Sequence, residues 1–312
     1  MTSRPLIIGS RSSRLALWQS NHIKAQLEVL HPNLPLAIKT IRTSGDRWTD
    51  APLYKIGGKG VFTKEIEEAL LKKEIDLAVH SLKDLPTTLP EGLCLGAITK
   101  RDDPRDAFLS NHFGHLSELP PQSTVGTSSL RRQSQLLHLR PDLTVKNLRG
   151  NLDSRLRKLD QGDYDAIILA CAGLIRLDLD HRIREKIPID QICSAIGQGS
   201  LAIEVRSNDR LTVERIRSLE DRDSRLAADA ERTLLSQLGG GCQVPIAGFA
   251  YVTKGQLSLT GLVGSVDGTV LIRESEQSTA DDPGKLGTLI AQRLLSRGAD
   301  EILGTNGIID RS

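Results

Sequence analysis

Apolar residues along this 312-residue chain follow two rhythms. Short unbroken runs, "PLIIGS" from Pro5, "LAIKTIRT" from Leu36, "IDLAVHS" from Ile75 and "LCLGAIT" from Leu93, read as buried strands. Between them, "SRLALWQSNHIKAQLEVL" places Leu15, Trp18, Ile23 and Leu27 on one predicted helical face, with Trp18 in the core. "VFTKEIEEALLKKE" predicts a second helix. The alternation repeats after "RDDPRDAFLS": "STVGTSSLRRQSQLLHL" and "LTVKNLRGNLDSRLRKLDQG" each predict strand, turn and helix, and "YDAIILACAGL" predicts a strand entering a turn of small residues. Strand and helix in alternation predict an α/β fold with a largely parallel sheet. The end of the chain changes rhythm. A charged helix, "DRDSRLAADAERTLLSQL", precedes three alternating strands, "VPIAGFAYV", "GQLSLTGLVGS" and "GTVLIRESEQ", and a closing helix, "LGTLIAQRLLSRGAD". That tail reads as a separate, smaller α+β unit. The segment from Thr43 to Gly60 has no period and is longer than most connections, as functional lids are.

Composition narrows the function classes. A hydrophobic fraction of 38% and a net charge of only +2 describe an ordinary water-soluble chain. Near-neutral charge and 3% aromatics argue against nucleic acid as a partner, and no apolar stretch approaches a membrane span. The four cysteines form no C-x-x-C pair, which fits a reducing, cytoplasmic setting. A plastid stroma would fit equally if a transit peptide had been removed.

Positive charge is nonetheless concentrated. From Thr124 to Lys158 there are eight Lys and Arg against Asp142 and Asp153, a local balance of +6. Within it, Thr127, Ser128 and Ser129 stand where a strand hands over to a helix. Such residues cap helices, and the free N–H groups there bind anions. Arg131 and Arg132 follow in the first turn, where the helix dipole disfavours cations. That conflict predicts that they answer to an anion, and an arginine fork suits carboxylate or phosphate. "GGKG" is not a phosphate loop, since Gly60 follows Lys59 and Leu53 stands at the first glycine position. Lys55 and Lys59 can still reach an anion from the lid.

Two strand ends add chemistry. "IIGSRSSR" leaves Arg11 and Ser13, and "AVHSLKDLP" leaves Ser81, Lys83 and Asp84, just beyond strands, where ligands bind in open α/β sheets. A carboxylate among cations stays ionised and can stabilise a developing cation or move a proton. His80, inside its strand, reads as a core histidine, and His112 and His115 lack a third ligand, so no metal is expected. Cys94, Cys171 and Cys193 lie among apolar residues and read as small hydrophobes. Cys242, in "GGGCQVP", sits instead in a glycine loop that presents a thiol. With no histidine near it in sequence, it suits a single permanent attachment better than turnover.

These segments resemble, in order and over nearly the whole chain, the porphobilinogen deaminase (hydroxymethylbilane synthase) family of tetrapyrrole biosynthesis, which feeds heme and chlorophyll. "IGSRSSRLALWQ", "TSGD", "GGKGVFTKEIEEALL", "DLAVHSLKDLP", "RDDPRDAF", "VGTSSLRRQSQL", "LRGN", "YDAIILACAGL", "IGQG" and "GGCQVPI" carry the likeness. After about Val252 only the general plan matches.

The resemblance implies a transferase that adds four porphobilinogens, losing ammonia each time, to a dipyrromethane cofactor held by thioether on Cys242, and then hydrolyses off the linear product. It implies Asp84 as the catalytic carboxylate. Ser81, Lys83, Thr127, Ser128, Ser129, Arg131, Arg132 and Gln198 would bind the cofactor; Arg11, Ser13, Arg149, Arg155 and Arg176 would bind substrate and the growing chain. It further implies a monomer with two lobes like those of periplasmic binding proteins, 1–99 with 200–217 and 105–193, and a smaller α+β domain, 222–312. The competing expectation is a two-lobed protein that captures an organic anion without chemistry. Cys242 and Asp84 speak against it, since simple capture needs neither.

Overall fold

The computed structural model describes residues 4–47, 62–240 and 244–305. The chain divides into two compact units, 1–101 with 200–225, and 102–199 with 226–312.

The first unit opens with β1 (Leu6–Ser10), α1 (Arg14–Leu30), β2 (Leu36–Thr40), the short α2 (Ser44–Arg47), α3 (Lys64–Leu71), β3 (Leu77–Ser81) and β4 (Leu93–Ile98). The second follows with β5 (Asp106–Leu109), β6 (Thr124–Gly126), α4 (Leu130–Leu139), β7 (Thr144–Lys146), α5 (Leu152–Asp160), β8 (Ala166–Ala170), α6 (Cys171–Ile175) and β9 (Glu185–Ile187). The chain then returns to the first unit through β10 (Leu201–Arg206) and α7 (Arg210–Ile216). After α8 (Arg222–Gln237) come β11 (Ile246–Thr253), β12 (Gln256–Gly264), β13 (Leu271–Thr279), α9 (Pro283–Ser296) and α10 (Ala299–Thr305).

The first sheet runs β2-β1-β3-β10-β4 and the second β7-β6-β8-β5-β9. In each, three parallel strands stand in the order second, first, third, and a fourth strand is antiparallel to both its neighbours. That fourth strand is the first one laid down after the chain arrives from the other unit, β10 in one case and β5 in the other. The sheets are therefore mixed, although the expected parallel core is present. Helices cover both faces. In the second unit Val125, Ile168 and Phe108 pack with Leu136 of α4 on one face. Ile167, Leu169 and Leu109 pack with Leu156 of α5 and Leu174 of α6 on the other. A two-sided apolar environment is why these strands read as unbroken runs.

Helix α1 buries Ile23 and Leu27 of the expected face, but not Leu15 and Trp18. Ala16, Gln19, Ser20, Ile23 and Leu27 point inward, while Trp18 is half-buried and stacks on His22 at 4.9 Å. Polar Gln19 is inside because its amide donates to Ser81 Oγ, 2.8 Å away. The three C-terminal strands form an antiparallel sheet whose core of Leu257, Leu259 and Val263 meets Leu234, Ile290 and Leu294 from α8 and α9.

The exit of α8 explains the first two glycines of "GGGC". Gly240 N–H donates to Leu235 O and Gly239 N–H to Ser236 O, each at 3.1 Å. This pair of bonds is the helix-ending motif that requires a left-handed residue, and Gly239 has φ +66. A Cβ on Gly240 would lie 2.6 Å from Ile246 Cδ1 and 2.8 Å from Leu235 Cδ1. Gly239→Ala is expected to cost about 1 kcal/mol through its backbone alone, and Gly240→Ala more through overlap with Ile246. Urea titration of both variants checks the order.

Candidate functional site

In the first unit, parallel β1 and β3 end on the same edge of the sheet. Beyond β1, Ser13 caps α1, its Oγ accepting from Ala16 N at 3.3 Å. The Arg11 guanidinium lies over the Phe62 ring, 4.2 Å from its centroid. Beyond β3, residues 82–84 make one tight turn closed by Leu85 N–H to Leu82 O at 3.2 Å. Leu82 and Leu85 are buried, at 1% and 3% exposure. The two leucines pin the turn, so Lys83 and Asp84 between them face outward, and Asp84 is exposed. No hydrogen bond or ion pair among the described residues claims its carboxylate. Arg11, Ser13, Ser81, Lys83 and Asp84 are thus brought to one strand-end edge. His80 is a core residue, 6% exposed, with Nε2 3.1 Å from Glu204 Oε2. Beneath it Glu67 has its pKa raised, chiefly by burial.

In the second unit β6, β7 and β8 are parallel neighbours, so α4, α5 and α6, which follow them, open their N-termini on one edge. Ser129 caps α4, its Oγ accepting from Arg132 N at 3.4 Å. Thr127 Oγ1 accepts from Ser129 N at 3.2 Å. Ser128 Oγ donates to Leu148 O, tying this turn to the β7–α5 loop. In that loop Asn151 caps α5 through Ser154 N at 2.9 Å, and Arg155 Nε donates to Gly150 O at 2.8 Å. Arg149 is half-buried, its Nε has no partner among the described residues, and burial lowers its pKa. Arg176, at 5% exposure, pairs with Asp102 at 2.8 Å and donates to Gly199 O at 2.7 Å.

Arg131 and Arg132 do answer to an anion, and it belongs to the protein. Asp106, fully buried, lies 2.9 Å from Arg131 Nη2 and 2.7 Å from Arg132 Nη2. Gln198 Nε2 donates to the same carboxylate at 2.9 Å. Burial opposes ionisation of Asp106, but the two arginines and the hydrogen bonds outweigh it and hold its pKa well below the usual range. The sequence reading missed Asp106. Its only signal is an acid placed directly before the apolar run "AFL". Also missed was Glu231 of α8, whose carboxylate accepts from Gly197 N at 2.6 Å and Ala250 N at 2.7 Å.

Cys242, Lys55 and Lys59 lie outside the described residues. Burial pushes the thiols of Cys171 and Cys193 up to about 12 and also raises that of Cys94. These three are not thiolates near neutrality. Among the described residues, no cluster of His, Cys, Asp and Glu could hold a metal. Nor is any helix long and apolar enough to cross a membrane.

The geometry defines an α/β protein whose two sheets each bring capped turns and charged side chains to one strand-end edge. Residues 6–214 match the family model described as porphobilinogen deaminase, dipyrromethane cofactor binding domain. Residues 225–296 match that of the porphobilinogen deaminase C-terminal domain. Curated proteins named porphobilinogen deaminase align over 303 residues and 97% of this chain. That of Syntrophotalea carbinolica is 50% identical with 96% of its length covered, and that of Syntrophobacter fumaroxidans 48% with 98% covered. The chain belongs to the porphobilinogen deaminase family of enzymes. Among solved structures, a periplasmic substrate-binding protein from Coxiella burnetii is similar at 13% identity and TM-score 0.44, over 69% of this chain and 91% of that one. A methionine-binding lipoprotein from Bacillus subtilis gives 13% and 0.42, over 69% and 89%.

Two outcomes follow from these pKa directions. Cys171 and Cys193 should resist iodoacetamide at pH 7 in the folded protein and react in denaturant, which peptide mapping reads. Asp106, with its folded pKa depressed, contributes stability that is complete above the ordinary aspartate value of about 4 and is lost as pH falls through the folded one. Urea midpoints between pH 5 and pH 3 should therefore drop more steeply in the parent than in an Asp106→Asn variant.

Proposed function

We propose that this chain joins four porphobilinogens head to tail on a dipyrromethane primer carried by Cys242, releases ammonia at each addition, and frees linear hydroxymethylbilane by hydrolysis. The observation that carries the residue assignments is Asp84: an exposed carboxylate, unclaimed among the described residues, beside Lys83 on a turn pinned by two buried leucines. Each addition breaks the substrate's aminomethyl C–N bond, forms a C–C bond to a pyrrole carbon and expels that carbon's proton. Positive charge develops on pyrrole nitrogen along the way. A fixed carboxylate stabilises that charge and can accept and return an N–H proton.

The second unit suits a bound primer. Arg131, Arg132 and Arg149 are among the guanidiniums that keep a buried Nε without a partner among the described residues, and three helix N-termini share the edge of their sheet. The cofactor, when bound, supplies the free pyrrole carbon at which the chain grows. Ser81, Lys83, Thr127, Ser128, Ser129, Arg131, Arg132 and Gln198 would hold its carboxylates and orient it. Arg11, Ser13, Arg149, Arg155 and Arg176 would receive the acetate and propionate of incoming porphobilinogen, with Lys55 and Lys59 reaching in from the lid. The proposal includes three domains, 1–99 with 200–217, 105–193 and 222–312, supported by a separate apolar core on each sheet. It includes a monomer working in the cytoplasm, where cysteines without framework spacing stay reduced.

Intact mass under denaturing conditions is expected to exceed the chain mass by two pyrrole units, and the excess should vanish in Cys242→Ala. Asp84→Asn should keep the excess and lose about 10²-fold or more in kcat. An unmodified mass that porphobilinogen cannot raise would overturn the reading, and an unchanged rate would overturn the role of Asp84.

A further inference from the structure

The Asp106 cluster is one negative charge short. Two guanidiniums and one carboxylate are buried together, at 4%, 6% and 0% exposure. The remaining donors go to uncharged acceptors: Arg131 Nη1 to Cys193 O at 2.6 Å and Arg132 Nη1 to Ile168 O at 3.0 Å. Gln198 adds no charge. Of the other acids, Asp102 pairs with Arg176, Asp103 with Arg105, and the buried Glu231 accepts from the backbone N–H groups of Gly197 and Ala250. Both arginines keep a buried Nε with no partner among the described residues. The N-terminus of α4 adds partial positive charge to the same place. An unbalanced buried cation is costly, and an arrangement that retains one, with donors left over, is set for an anion from outside.

We propose that Asp106 is the positioning residue of this receiver. It holds Arg131 and Arg132 in place before the primer is present, and it leaves the pair with a net charge of +1 that a primer carboxylate neutralises. This rests on the reading that the pair receives the primer. Full neutrality before loading would leave the primer carboxylate uncompensated. No counter-anion at all would leave two cations to repel each other in a dry site.

The test compares Asp106→Asn in protein able to load and in the Cys242→Ala background, which cannot. Removing the carboxylate takes the unloaded cluster from +1 to +2 and the loaded one only from neutral to +1. The unloaded form should therefore lose more, by roughly 4 °C or more in melting midpoint. Equal losses in the two backgrounds overturn the proposal. Asp106→Glu decides the matter where Asp106→Asn does not yield both forms, because it keeps the charge and misplaces it. Loading of unloaded enzyme with porphobilinogen, followed by intact mass, should slow about tenfold (~1.4 kcal/mol). Its Cys242→Ala counterpart should melt within roughly 2 °C of the parent. An unchanged loading rate overturns the proposal. Arg132→Gln separates the two levels of inference. If it loads at the parent rate, the pair does not receive the primer and the underlying reading fails. If it does not load while Asp106→Asn costs both forms alike, only the role given to Asp106 falls.

Discussion

Keeping cations out of water is costly without a counter-charge, and for Arg131 and Arg132 that counter-charge is Asp106. Its position as the first residue of β5 puts it beside β8 and β9, within reach of the first turn of α4. The main-chain carbonyls of residues 168 and 193 complete the arrangement. Gln198 binds the carboxylate, and its neighbour Gly197 donates to Glu231 on α8. From Glu231 the helix runs to the glycine exit that precedes Cys242. A line of buried hydrogen bonds therefore connects the arginine pair to the helix that precedes Cys242 in the chain.

The two units apply one plan to opposite electrostatic ends. In both, parallel strands deliver capped turns to a single edge. The first unit uses its third strand end to hold out a carboxylate, with leucines on either side as anchors. The second uses its strand ends for hydroxyls, helix N-termini and guanidiniums. The exposed carboxylate and the cluster of guanidiniums thus stand on separate sheets, each with its own core.

Elements and chemistry were legible in the sequence where the signal was local. The Ser129 cap, the apolar strands and the strand ends at Ser13 and Asp84 all rest on neighbours in the chain. The clash between Arg131, Arg132 and the dipole of α4 was legible too, but its resolution was not. The partner lies some twenty-five residues upstream and carries no periodicity. Strand direction was illegible for a similar reason. "AFL" and "LAIEVR" are buried on both faces, and nothing in such a run says which way it points. Only the first half of the α1 face departs from expectation, because the hydrogen bond from Gln19 to Ser81 lets a polar residue go inside. The closing helix reads as one segment, but Gly298, at φ +90, divides α9 from α10.

The shared sheet order also has a consequence for how the chain comes to be folded during synthesis. β4 begins only twelve residues after β3 ends, yet the two never pair, because β10 lies between them. When the first hundred residues have left the ribosome, the inner edge of β3 has no partner, and none exists until residues 201–206 emerge. By then all the strands of the second five-stranded sheet have been made. The first unit, although it begins the chain, must wait for the second to be threaded before its own sheet can close. Long-range pairing of this kind is slow, and an open strand edge in the meantime invites misassociation. For the two five-stranded sheets, the order in which they are begun and the order in which they can close are thus reversed.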